Sequence, residues 1–83
     1  MLTFEQFQAT RRWVDDLAET IGWAADEPQP GFAYHADLHI FAPASGAGPD
    51  EYLLVIGNSQ KPSPDLTELE RDLYAFGQSE GMV

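Results

Sequence analysis

Apolar residues recur at helical spacing in two stretches of the chain and alternate with polar ones in the stretch between. Phe7, Val14, Leu17, Ala18 and Ile21 fall on one face of a helix predicted over residues 4–21. Thr3, with Gln6 three residues on, supplies a capping box at its start. Gly22 suits the left-handed position that ends it. Thr10 and Arg11 sit within the apolar stripe, while Glu5, Arg12, Asp16 and Glu19 take the opposite face. Leu66, Leu69, Leu73 and Phe76 form a second stripe, predicting a helix over residues 65–78. Asp65 and Glu68 give it a capping box, and Ser63 followed by Pro64 is the competing start.

The stretch from Phe32 to Phe41 alternates and predicts one strand. Tyr34, Ala36, Leu38 and Ile40 share its core face; Ala33, His35, Asp37, His39 and Phe41 share the other. A second strand is predicted over residues 51–57. Tyr52, Leu54 and Ile56 face one way there, Leu53 and Val55 the other, so both faces are apolar. A strand buried on only one face alternates more cleanly than this. Residues 23–31 and 42–50, rich in Pro and Gly, read as connectors, and 58–62 as a turn.

The expected fold is α+β, a two-layer α-β-β-α domain over residues 1–83. An antiparallel hairpin carries two amphipathic helices packed on one face. A two-stranded sheet alone is marginal in water, and the second strand has a spare apolar face. Either the connector around Trp23–Ala25 adds a third short strand, or a second copy covers that face. A homodimer joined through sheets or apolar faces is the preferred reading, with Tyr52, Leu54 and Ile56 among the candidate interaction residues.

Composition changes the picture in two ways. The chain has 83 residues with 14 acids against 4 Lys and Arg, a net charge of −10. Charge of that size opposes compaction, but 43% apolar content arranged with matching caps is the pattern of a folded sequence. Absence of cysteine excludes disulfides and thiolate chemistry. No apolar run has membrane-spanning length, and the first residues lack a signal-peptide pattern. The expectation is a soluble cytoplasmic protein with no membrane association.

Four places are candidates for function. His35, Asp37 and His39 would project from one strand face at about 6.5–7 Å intervals, two nitrogens and an oxygen that suit a divalent metal or small ligand. The plainer reading is a polar face on an edge strand. The Ser45–Gly48 loop contains two glycines but no lysine and is flanked by acids, so it reads as a hairpin loop rather than a phosphate cradle. The pairs Asp15–Asp16, Asp26–Glu27 and Asp50–Glu51 read as solvated charges rather than a catalytic dyad. No serine lies in a nucleophile pattern, so neither catalysis nor an obligate cofactor is expected.

The fourth candidate is the surface itself. Between Trp13 and Gln60 there are eight acids and no Lys or Arg. Such a field repels a nucleic-acid backbone and attracts a basic protein. With the aromatic anchors Trp13 and Trp23, and with Asp15, Asp16 and Glu19, it suits a non-catalytic interaction domain, an adaptor or inhibitor with a basic protein partner. The alternatives are metal or small-ligand binding at His35, Asp37 and His39, and an acidic mimic of nucleic acid that inhibits a nucleic-acid-binding protein.

Overall fold

The structure, a computed structural model, describes residues 1–24, 26–43 and 51–83. Its core is one antiparallel sheet of five strands whose spatial order follows the chain. Helix α1 spans Phe4–Ala9, strand β1 Arg12–Val14 and helix α2 Leu17–Thr20. Strand β2 spans Gly31–Ala33 and β3 His39–Phe41, with a 3-10 turn at His35–Asp37 between them. Strands β4 (Tyr52–Ile56) and β5 (Ser59–Ser63) and helix α3 (Leu66–Ser79) complete the chain. The fold mixes helix and antiparallel sheet as expected. The two-strand, two-helix layout is replaced by five strands with helices on both faces.

The predicted helix over 4–21 is three elements. Its start holds: the Thr3 hydroxyl accepts from the Gln6 amide, and the Gln6 side chain accepts from the Thr3 amide. Helix α1 then stops at Thr10, whose hydroxyl donates to the Phe7 carbonyl at 2.6 Å and accepts from the His35 amide at 3.0 Å. Serine and threonine that bond locally in this way compete with helix continuation. Arg12, Trp13 and Val14 pair with Ala33, Phe32 and Gly31 as an edge strand. A new cap follows, with the Asp16 carboxylate accepting from the Glu19 amide to open α2.

The predicted stripe therefore belongs to two cores. Phe7 is buried against Tyr34, Ile40, Leu54, Leu69 and Leu73 on one face of the sheet. Val14, Leu17, Ala18 and Ile21 pack with Ala33, Phe41, Leu53 and Val55 on the other. The chain passes from one face to the other at β1. This explains the doubly apolar β4: Leu54 faces the α1–α3 core, while Leu53 and Val55 meet the α2 core. Both faces of β4 thus meet a core of the same chain, with Tyr52, Leu53, Val55 and Ile56 half-buried. The additional strands come from Arg12–Val14, Gly31–Ala33 and Ser59–Ser63, not from Trp23–Ala25. Trp23 and Ala24 are outside any strand, and Ala25 lies outside the described residues.

The strand predicted over 32–41 is itself a hairpin. Gly31, Phe32 and Ala33 pair with Phe41, Ile40 and His39 across the turn. Tyr34, Leu38 and Ile40 still bury together as their alternation requires, while Ala36 is exposed at the tip. Gly31 permits close approach on the second face: a Cβ there would lie 2.5 Å from the Ile40 carbonyl oxygen and 2.6 Å from Leu17 Cδ2.

Where a turn was expected over 58–62, β5 forms a second hairpin. Its two-residue loop is Gly57–Asn58, with Gly57 at φ +58°. Glycine at the first central position is the requirement of a type II′ hairpin turn. Strand β5 is a free edge carrying Lys61 and Pro62, residues that discourage edge-to-edge pairing. Lys61 bridges to Asp72 and Glu68 of α3, and the bond to Asp72 raises its pKa. Helix α3 begins as predicted, with the Asp65 carboxylate accepting from the Thr67 and Glu68 amides. Glu68 does not reach back to the cap; it accepts from the Ser63 hydroxyl, whose oxygen accepts from the Asp65 amide.

Candidate functional site

The sequence candidates separate onto the two faces. Trp13 lies at the centre of the edge strand β1, 53% exposed, with its ring edge-on to Phe32 at 5.3 Å. Its indole N–H donates to the Asp15 carboxylate at 2.7 Å. Phe32 in turn packs at 6.3 Å from Tyr52, and the Arg11 guanidinium lies over the Phe32 ring at 5.4 Å. Trp13 is thus the outermost member of an aromatic row on the α1–α3 face. Asp15 and Glu19 are exposed. Asp16 is occupied as the α2 cap and accepts the Gln29 amide as well.

Trp23 lies with the opposite face, 48% exposed and 5.2 Å from the Phe41 ring. Its amide donates to the Ala18 carbonyl, so it closes over the end of α2. Tyr52, Leu54 and Ile56, expected to offer a surface to a second copy, pack into their own first core, and Leu54 is 4% exposed.

His35, Asp37 and His39 do not share a strand face, because the chain turns between them. His35 and Asp37 are exposed on the turn, and only His39 belongs to a strand. His39 Nδ1 lies 3.1 Å from the Asp37 carbonyl oxygen. A carbonyl only accepts, so Nδ1 donates at this contact, and in that tautomer Nε2 is the acceptor. Among the described residues no three His, Asp or Glu side chains gather closely enough to hold a metal ion. Ala36 (φ +58°) and Asp37 (φ +61°) are both left-handed, which is costly for residues with a Cβ. The Ser45–Gly48 loop and Asp50 lie outside the described residues.

Asp37 and His39 line one cleft with Arg12, a residue the sequence pattern sets on a helix. Arg12 pairs with Ala33, and Ala33 with His39, so the three form a row across β1, β2 and β3. Ala33 is buried and small. Its flanking neighbours stand beside an open cleft of about 420 Å³, roofed by Leu17 and Thr20 of α2 and rimmed by Asp37. A second cleft of about 360 Å³, lined by Leu38, Leu73 and Phe76, shares Asp37 and His39. The hairpin tip divides the two.

The most buried ionisable group was also missed. Glu70 of α3 is fully buried, and its carboxylate accepts from Gln8 at 3.0 Å, Arg11 at 3.0 Å and Tyr34 at 2.7 Å. A buried carboxylate is tolerable only when paired and hydrogen-bonded in this way. Burial, and the bond to Glu70, push the Tyr34 phenol well above its ordinary pKa. The signal was a charge inside a helical apolar stripe: Glu70 is four residues past Leu66 and three before Leu73.

Comparison with known proteins gives no likeness to draw on: no family model, curated protein or solved structure matches this chain. No helix among the described residues is long and apolar enough to cross a membrane.

Proposed function

We propose that the protein is a small acidic, non-catalytic interaction domain, an adaptor or inhibitor, that receives a basic protein on the sheet edge carrying Trp13. The observation that carries this reading is the exposed Trp13 ring, braced by Phe32 behind and Asp15 beside it on a free edge strand. A rigid aromatic anchor with a polar rim is the arrangement from which interface hot spots are built. The excess of 14 acids over 4 bases supports a basic partner, because complementary fields speed encounter.

The test is photo-crosslinking in the native cell. A crosslinking residue is placed at position 13 in one variant and at position 23, on the opposite face, in another. The expected result is one dominant basic protein captured from position 13 and not from position 23, with capture reduced when a lysate is irradiated in high salt. Equal capture from both positions, or none from position 13, overturns the reading. If nucleic acid competes with this chain for the captured protein, the partner surface is a nucleic-acid groove and the inhibitor form is the correct one.

A further inference from the structure

The cleft between α2 and the sheet holds two opposite charges that do not meet. Three of the four cations are engaged inside the molecule: Arg11 by Glu70, Lys61 by Asp72 and Glu68, and Arg71 over the Phe4 ring. Arg12 makes no ion pair among the described residues, and neither does Asp37. Both line the same cleft, without being within ion-pair distance of each other. In a chain this acidic, a guanidinium left beside a carboxylate it does not touch is a specific arrangement.

The other polar atoms of the cleft sort by role. Thr20 spends its hydroxyl hydrogen on the Asp16 carbonyl at 3.0 Å, so it offers only lone pairs. His39 spends its Nδ1 hydrogen on the Asp37 carbonyl and offers the Nε2 lone pair. Asp37 offers carboxylate oxygens. Arg12 is therefore the only donor among these four side chains and the other three are acceptors. Between them lie the methyl of Ala33 and the side chain of Leu17. Such a surface matches a molecule with a carboxylate at one end, an ammonium at the other and an apolar branch. The Arg12 fork takes the carboxylate, the acceptors take the ammonium, and the branch lies on Leu17 and Ala33. The volume of about 420 Å³ is within the range of small-molecule sites.

We propose that this cleft binds a free α-amino acid with an aliphatic side chain. The site lies on the α2 face, with Arg12 supplied by the same edge strand, β1, that carries Trp13.

The test is an amide and side-chain NMR titration of the full chain, using leucine as probe and acetate and methylamine as single-ended controls. Leucine is expected to give saturable shifts at Arg12, Thr20, Ala33 and His39, and to bind at least about tenfold tighter than either control, since each ionic end adds a charge-assisted contact. Arg12→Gln and Asp37→Asn should each weaken leucine by about tenfold or more. Both residues are exposed, and asparagine tolerates the left-handed backbone at position 37, so the folded spectrum should persist. Titration without saturation, shifts centred elsewhere, or acetate binding as tightly as leucine overturns the proposal.

Discussion

The two faces of the sheet are built on different terms. The α1–α3 face buries large side chains, Phe7, Tyr34, Ile40, Leu54, Leu69 and Leu73. It also encloses a carboxylate whose three donors come from α1, from the segment before β1, and from the hairpin. The α2 face is thin. Its roof is a helix of only four residues, Leu17–Thr20, over small residues, Gly31 and Ala33, and it leaves an open cleft. The first face spends its polar groups on each other: among the described residues no buried side-chain polar atom lacks a partner. The second leaves Arg12 and Asp37 facing solvent. A small domain can thus concentrate its stability on one side of a sheet and leave the other free for a ligand.

Removing the buried charge should break that contrast most severely. Glu70→Ala is expected to lower the unfolding free energy by about 3 kcal/mol, because Tyr34 and Gln8 lose their acceptor in a dry site. Arg11, whose side chain is 40% exposed, can turn to water, which holds the loss at the lower end for a broken buried pair. Urea unfolding measures it. A loss below about 1 kcal/mol, the worth of one ordinary hydrogen bond, would mean that the network does not organise the first face.

Leu17→Ala tests the thin face. Leu17 is fully buried and touches the Gly31 backbone region from α2. The expected loss is about 2 kcal/mol, toward the lower end for such truncations, because a cavity beside an open cleft is accessible to water. Hydrogen exchange should show faster opening around α2 while α3 keeps its protection. Equal loss of protection on both faces would show one cooperative core instead of two.

The phenol at the centre of the first face gives a pH signature. Its folded pKa is raised above the unfolded value of about 10. The folded state therefore favours the protonated phenol. The stability linked to it is fully present below pH about 10 and is lost as pH rises further. Tyr34→Phe should flatten that alkaline decline, at a cost near neutrality of about 1–2 kcal/mol for leaving Glu70 a donor short. An unchanged alkaline slope in the variant would assign the decline to other groups.

Much of the first face was legible in the sequence. The Thr3–Gln6 capping box, the Asp65 cap and the stripe of α3 are local signals, and local signals survive into the structure. What was lost was where the chain crosses the sheet. Phe7 and Leu17 share a helical face in projection, yet a three-residue edge strand carries the chain between them to the other side. Periodicity records burial and says nothing about which core does the burying. Likewise, the alternation of Tyr34, Leu38 and Ile40 is satisfied by a hairpin as well as by a continuous strand. The Gly57–Asn58 pair, between Ile56 and Ser59, was a readable hairpin signal. Arg12 was not readable as a site residue, because its neighbour His39 is brought to it only by pairing through β2.

The smallest expected effect lies where the two clefts are divided. Ala36 holds φ +58° and ψ +37° at the hairpin tip, fully in the left-handed region, at a strain of about 1–2 kcal/mol for a residue with a Cβ. The turn persists because the Tyr34 amide donates to the Leu38 carbonyl at 2.7 Å, and because Tyr34 and Leu38 are both anchored in the first core. Ala36→Gly removes the strain but gives the unfolded chain more freedom, which offsets about half of the gain. The net expectation is a stabilisation of about 0.5–1 kcal/mol, seen as a higher urea midpoint with an unchanged slope. Ala36 is exposed at the tip, so no packing term obscures the sign. A destabilised variant would mean that the methyl group itself props Asp37 and His39 beside their clefts, tying the strained backbone to the ligand face and not to the fold alone.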